Sequence, residues 1–117
     1  MVRLMAAADT MQLAINNAIK TNPAHIRQAI HGKVNVKEAL NASGILDAVP
    51  PADAAETRWV CDQLSEADNQ LALQAIDSAL AAGQIVRVSW SAGPTGVSVT
   101  PFPGGVTIGV QTAMPPM

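Results

Sequence analysis

Few residue types in this chain carry chemistry. The one cysteine, Cys61, becomes a nucleophile only beside a base. Its surroundings, Trp59-Val60-Cys61-Asp62-Gln63, match no nucleophile motif. A lone cysteine on a helix next to a tryptophan reads as small core filler. His25 and His31 stand six apart, so one helix would not put them on one face. With a single cysteine they match no zinc-ligand spacing. The carboxylates Asp62, Glu66 and Asp68 gather at a helix junction, where acids complement the exposed amides of a helix start. Arg58 and Asp62 are four apart and can pair on a helix surface. Gly93-Pro94-Thr95-Gly96 and Gly104-Gly105 lie between strand patterns with no helix after them, so they are turns rather than phosphate cradles. No catalytic residue, cofactor site or metal site is expected.

Binding remains. From Lys20 to Lys37 the chain holds four basic residues and no acid; from Glu38 to Asp77 it holds eight acids and only Arg58. The segment from Pro23 to Asn41 reads as two short helices joined by Gly32-Lys33-Val34-Asn35, the layout of a helix-turn-helix. Arg27, His31, Lys33 and Lys37 would be its nucleic-acid contacts. Three features oppose this. Glu38 sits on the would-be reading helix, residues 66–82 carry three acids and no base, and the glycine misses the motif's spacing. Phosphate affinity grows with the number of phosphates neutralised, and four cations neutralise few. A small nucleic-acid-binding regulator is therefore the alternative reading.

The leading reading rests on the last forty residues. They carry one charge, Arg87, and six of the eight glycines. Their polar positions Arg87, Ser89, Thr107 and Gln111 alternate with apolar ones, so they should share an open sheet face and meet a protein partner. The segment Val106 to Gln111 has no charge to guard it and is read as an interaction edge. The Arg27, His31, Lys33 edge is a second surface.

The elements that must position these residues follow from periodicity and punctuation. A first helix runs from about Leu4 to Lys20, with Leu4, Ala8, Met11, Ile15, Ala18 and Ile19 on one face. Asn22-Pro23 starts a second and Gly32 stops it. Asn35 caps a third, which Gly44 ends. Residues 45–52, with Pro50-Pro51, read as a connector and the one candidate hinge. Asp53 with Glu56 looks like a capping box for a fourth helix burying Trp59, Val60 and Leu64. Ser65 with Asp68 opens a fifth, closed by Gly83, with Leu73, Ile76 and Leu80 inward. The period then changes to two at Val86, Val88 and Trp90, again at Val97 and Val99, and again at Val106, Ile108 and Val110. The expected fold is α+β: four to five helices over 1–82, a three-stranded antiparallel β-meander over 84–111 and a tail over 112–117.

At 117 residues the chain suits one domain. Leu, Ile, Val and Phe supply 28 residues, which argues against disorder. No apolar run is long enough to span a membrane, and the apolar stretch after Arg3 is too short for a signal peptide. A single cysteine fits a reducing compartment, so a cytoplasmic location is expected. The sparse charge, 14 % of residues, fits a surface partly covered by a partner or by further copies. Together these readings predict a non-catalytic protein–protein interaction module: an adaptor, a small inhibitor or a subunit of an assembly.

Overall fold

The computed structural model describes residues 4–33 and 35–113. In chain order these form α1 (Leu4–Thr21), α2 (Pro23–Ile30), α3 (Val36–Ala42), a single 3-10 turn at Leu46–Ala48, α4 (Pro51–Asp62), α5 (Glu66–Ala82), β1 (Ile85–Ala92), β2 (Gly96–Phe102) and β3 (Gly105–Thr112). The class is α+β, with five helices and then a three-stranded sheet.

Helix starts follow local chemistry. The Asn22 side chain accepts from the His25 amide and Pro23 takes the first helical position. Asn35 accepts from the Glu38 amide at 2.8 Å, and Ser65 from the Asp68 amide at 3.1 Å. Each satisfies an amide the helix itself leaves unpaired. Gly83, at φ 66°, ends α5 in the left-handed region that glycine enters without cost.

α4 departs from expectation. It begins at Pro51, whose fixed φ suits a first helical position, so Asp53 is not its cap. Asp53 lies inside the first turn and is buried, and its carboxylate accepts from Thr10 Oγ1 of α1 at 3.1 Å. Residues 45–52 are no loose connector either. Ile45, Leu46 and Val49 are buried in the core, and Pro51 opens α4, which packs against α1. Trp59, Leu64 and Leu73 pack on the core but stay half-buried.

The sheet is not the expected antiparallel meander. Its order is β1-β3-β2, with β1 parallel and β2 antiparallel to β3. Period-two patterning assigns faces but not neighbours, and both orders put the same residues on the same face. Neighbours are decided by two prolines. Pro103 and Gly104, at φ 91°, make a two-residue turn with the geometry of type II, which pins β2 against β3. Pro101 has no amide to donate, so β2 is confined to an edge, whereas a meander would place it centrally. β3, with Ile108, Val110 and Thr112 buried, takes the middle. The expected interaction edge at Val106 to Gln111 is therefore the fully paired central strand. The link Gly93-Pro94-Thr95 crosses the end of β3, a step of roughly 10 Å, and the Gly93 amide donates to the Thr112 carbonyl at 2.9 Å. Thr112 thus belongs to β3 and not to a tail; the proposed tail residues 114–117 lie outside the described residues.

α1 lies along β1, and α5 packs across β2 and β3. Val86, Trp90, Ile108 and Val110 from the sheet join Met11, Ile15, Ile76 and Leu80 from the helices in one apolar core. Parallel strands are usually joined through a helix that covers the sheet. Here the connection from β1 to β3 runs through β2 instead, so no helix is delivered to the second face.

Candidate functional site

The uncovered face is assembled by register. Across the strands run the rows Ser91, Gln111 and Gly96; Ser89, Gly109 and Ser98; Arg87, Thr107 and Thr100; and Ile85, Gly105 and Phe102. Arg87, Ser89, Thr107 and Gln111, the residues expected to meet a partner, all lie in these rows. Arg87, Ser89 and Gln111 are exposed and Thr107 is half-buried.

The same face holds residues that the sequence reading passed over. Ser98 and Thr100 occupy the polar phase of β2, a signal that the period-two pattern already carried. The Arg87 guanidinium carbon sits 4.1 Å from the centre of the Phe102 ring, a cation–π contact that holds the only charge of the face in place. Phe102 in turn lies over Gly105. A side-chain carbon at 105 would collide with this ring and with the Ile85 carbonyl. Gly109 lies in a depression of about 390 Å³ bordered by Ser89, Ser98, Val97 and Gln111, and the Ser98 hydroxyl occupies the space that a side chain at 109 would take. Its floor is backbone and its rim is hydroxyl and amide. Such a surface donates and accepts hydrogen bonds but contains no strong base, acid or nucleophile.

The basic segment is arranged differently. Arg27 Nε binds Asp77 Oδ1 at 3.0 Å, and Lys37 Nζ binds Asp62 Oδ1 at 2.7 Å. Hydrogen bonding first, and then charge attraction, to these carboxylates raises the pKa of both cations. Asp62 therefore meets Lys37 rather than serving only its helical neighbour Arg58. His31 and Lys33 are exposed beyond the end of α2. The would-be reading helix α3 buries Val36, Ala39 and Leu40. Its first amide, at Val36, donates to Asn69 Oδ1 of α5 at 2.9 Å. Asn69 is itself buried and donates to the Leu64 and Ser65 carbonyls. The start of α3 is thus docked inside the protein, where a helix-turn-helix would present it to a groove.

Cys61 is buried, and its pKa is pushed up to about 12, chiefly by burial and further by Asp62, with Lys37 opposing. It is a thiol and not a thiolate at neutral pH. Among the described residues no group of three or more His, Cys, Asp and Glu side chains converges on a metal position. No described helix is long and apolar enough to cross a membrane. An apolar groove of about 270 Å³ runs between α1 and residues 43–48, bordered by Leu13, Ile26 and Ile45. Comparison with protein families, with curated proteins and with solved structures finds no match to this chain.

Proposed function

We propose that this chain is a non-catalytic protein-binding module whose partner docks on the open face of the sheet. The observation that carries this reading is the bare face itself: one anchored cation, a rim of hydroxyls and a depression at Gly109. A partner that fits it is a protein surface supplying hydrogen-bonding groups to Ser89, Ser98 and Gln111 and an acid to Arg87. A small side chain of that partner enters the depression. The same chemistry suits an adaptor, a small inhibitor or an assembly subunit working in the cytoplasm. The reading of a nucleic-acid regulator draws less support, because Arg27 and Lys37 are paired and α3 is docked at its start.

The test compares tagged wild type with two variants in capture from the source lysate, with and without nuclease. Gly109→Ala places a methyl group on the floor of the depression. Its new carbon meets the Ser98 hydroxyl at 2.7 Å, which must rotate away, and the Ser98 carbonyl at an ordinary 3.9 Å, so only a small loss of stability is expected. Arg87→Glu reverses the one charge. A stoichiometric protein partner that survives nuclease and is lost by both variants is the expected result. A partner retained by both variants overturns the open face as its site. Capture abolished by nuclease, or by Lys33→Ala, overturns the protein-binding reading in favour of nucleic acid.

A further inference from the structure

The two edges of the sheet are treated differently. On β1, Asn16 of α1 accepts from the Val86 amide and donates to the Val86 carbonyl, both at 2.9 Å, and Gln12 accepts from the Val88 amide at 2.9 Å. Since the backbone groups of Val86 and Val88 point away from β3, the ladder's alternation sets every other position. Val106, Ile108 and Val110 of β3 face β1, while Gly105, Thr107, Gly109 and Gln111 face β2. With the β2–β3 register, Val97, Val99 and Pro101 then direct their backbone groups away from the sheet. This outer edge offers two amides and three carbonyls. Among the described residues no side chain hydrogen-bonds to any of them, in contrast to β1.

We propose that this edge pairs antiparallel with β2 of a second copy of the chain, about a two-fold axis at Val99, giving one six-stranded sheet. The hydrogen-bonding groups fit that axis. Val99 exchanges both its bonds with its own mate, and each Val97 amide reaches the Pro101 carbonyl of the other copy. Both free amides are satisfied, and the proline's missing amide is the one gap. A two-fold contact brings each residue near its own copy, so like charges near the axis would repel. Here there are none: β2 is uncharged, and so are Leu71, Gln74 and Ser78 of the adjoining α5 face. The pairing also has apolar surface to cover. Leu71 is 40 % exposed, beside a groove of about 360 Å³ between α5 and β2 lined by Ala75, Val99, Pro101 and Val106. An edge pair alone is smaller than the roughly 800 Å² per partner of a stable interface, and this apolar flank is further surface that the pairing would cover. The open face would become continuous across both copies, with two Arg87–Phe102 pairs. The proposal stands whether or not a further protein docks there.

Light scattering over a wide range of protein concentration, with hydrogen exchange at Val97 and Val99, tests it. For wild type the molar mass should rise twofold with concentration, and protection of these two amides should rise with it. Val99→Pro removes an amide that the fold does not use, and the extended backbone before a proline suits a strand. Thr100→Lys places a cation from each copy close to the axis from an exposed position. Both variants should stay at monomer mass with unchanged helical circular dichroism; the second keeps the test open if the first does not fold. Wild type that remains monomeric throughout overturns the proposal. So does a dimer that persists in both variants, or protection of Val97 and Val99 that appears only when an extended peptide is added to a monomer.

Discussion

Cys61 shows how burial decides chemistry at a single residue. Taking a thiol out of water disfavours its charged form, and here the folded pKa rises from the ordinary 9.0 to about 12. The thiolate is the reactive species, so native protein should resist alkylation at mildly alkaline pH and label rapidly in denaturant. The same shift has a consequence for stability. Between pH 9 and 12 the folded thiol keeps its proton while the unfolded one releases it, so the unfolded state binds fewer protons and stability falls as pH rises. The slope approaches about 1.4 kcal/mol per pH unit once the unfolded thiol is fully ionised. Cys61→Ala removes this dependence. Denaturant midpoints of wild type and C61A should therefore diverge from neutral pH to pH 10, with wild type losing more; parallel curves would show that the thiol titrates as if exposed. The sequence already pointed to this inert role through the absence of any motif around Cys61. It held no sign of Asp53 and Thr10 meeting across two helices, because their contact depends on where α4 begins.

At the level of elements, the edge of β1 is closed by a helix. Asn16 and Gln12 lie one turn apart on α1 and match the spacing of alternate strand residues closely enough to act as a neighbouring strand. Asn16 both accepts and donates, and the Val86 groups it serves are fully buried. Asn16→Ala should cost about 1–3 kcal/mol for each Val86 group left unsatisfied. Asn16→Asp separates the two bonds. At neutral pH its carboxylate still accepts from the Val86 amide but repels the carbonyl. On acidification the carboxyl protonates and can donate. Protonation would restore the bond to the Val86 carbonyl, so the stability lacking at pH 7 should return as pH falls. Urea midpoints at pH 7 and pH 4 measure this: N16D should recover relative to N16A at the lower pH, and equal losses at both would rule out the carbonyl bond. Neither contact was legible in the sequence, where the partners are 70 and 76 residues apart. The helices themselves were legible, since caps such as Ser65 with Asp68 and stops such as Gly83 are local signals. So were the sheet faces. The strand order was not read, although Pro101 held the clue: a proline in a strand pattern marks an edge, and β2 cannot then lie between β1 and β3.

Across the whole molecule, the helical two thirds and the sheet depend on each other. α1 caps β1 through Asn16 and Gln12, and it holds α4 through Thr10 and Asp53. Asn69 of α5 fixes the start of α3, and α5 lies across β2 and β3. Without the helices the sheet would expose Val86, Ile108 and Val110 on one face and an unpaired edge on β1. Without the sheet, α1 and α5 would expose Met11, Ile15, Ile76 and Leu80. Neither part retains a closed core, so unfolding should be a single cooperative transition. Trp90 on β1 is buried and reports on the sheet, while Trp59 on α4 reports on the helices. In Trp59→Phe the remaining fluorescence isolates the sheet, and circular dichroism follows the helices. The two denaturation curves should superimpose, and adding Asn16→Ala should move both midpoints by the same amount. A fluorescence transition that precedes loss of helix would instead mean that the sheet can detach from a folded helical unit, and that the contacts of Asn16 and Gln12 hold only the edge.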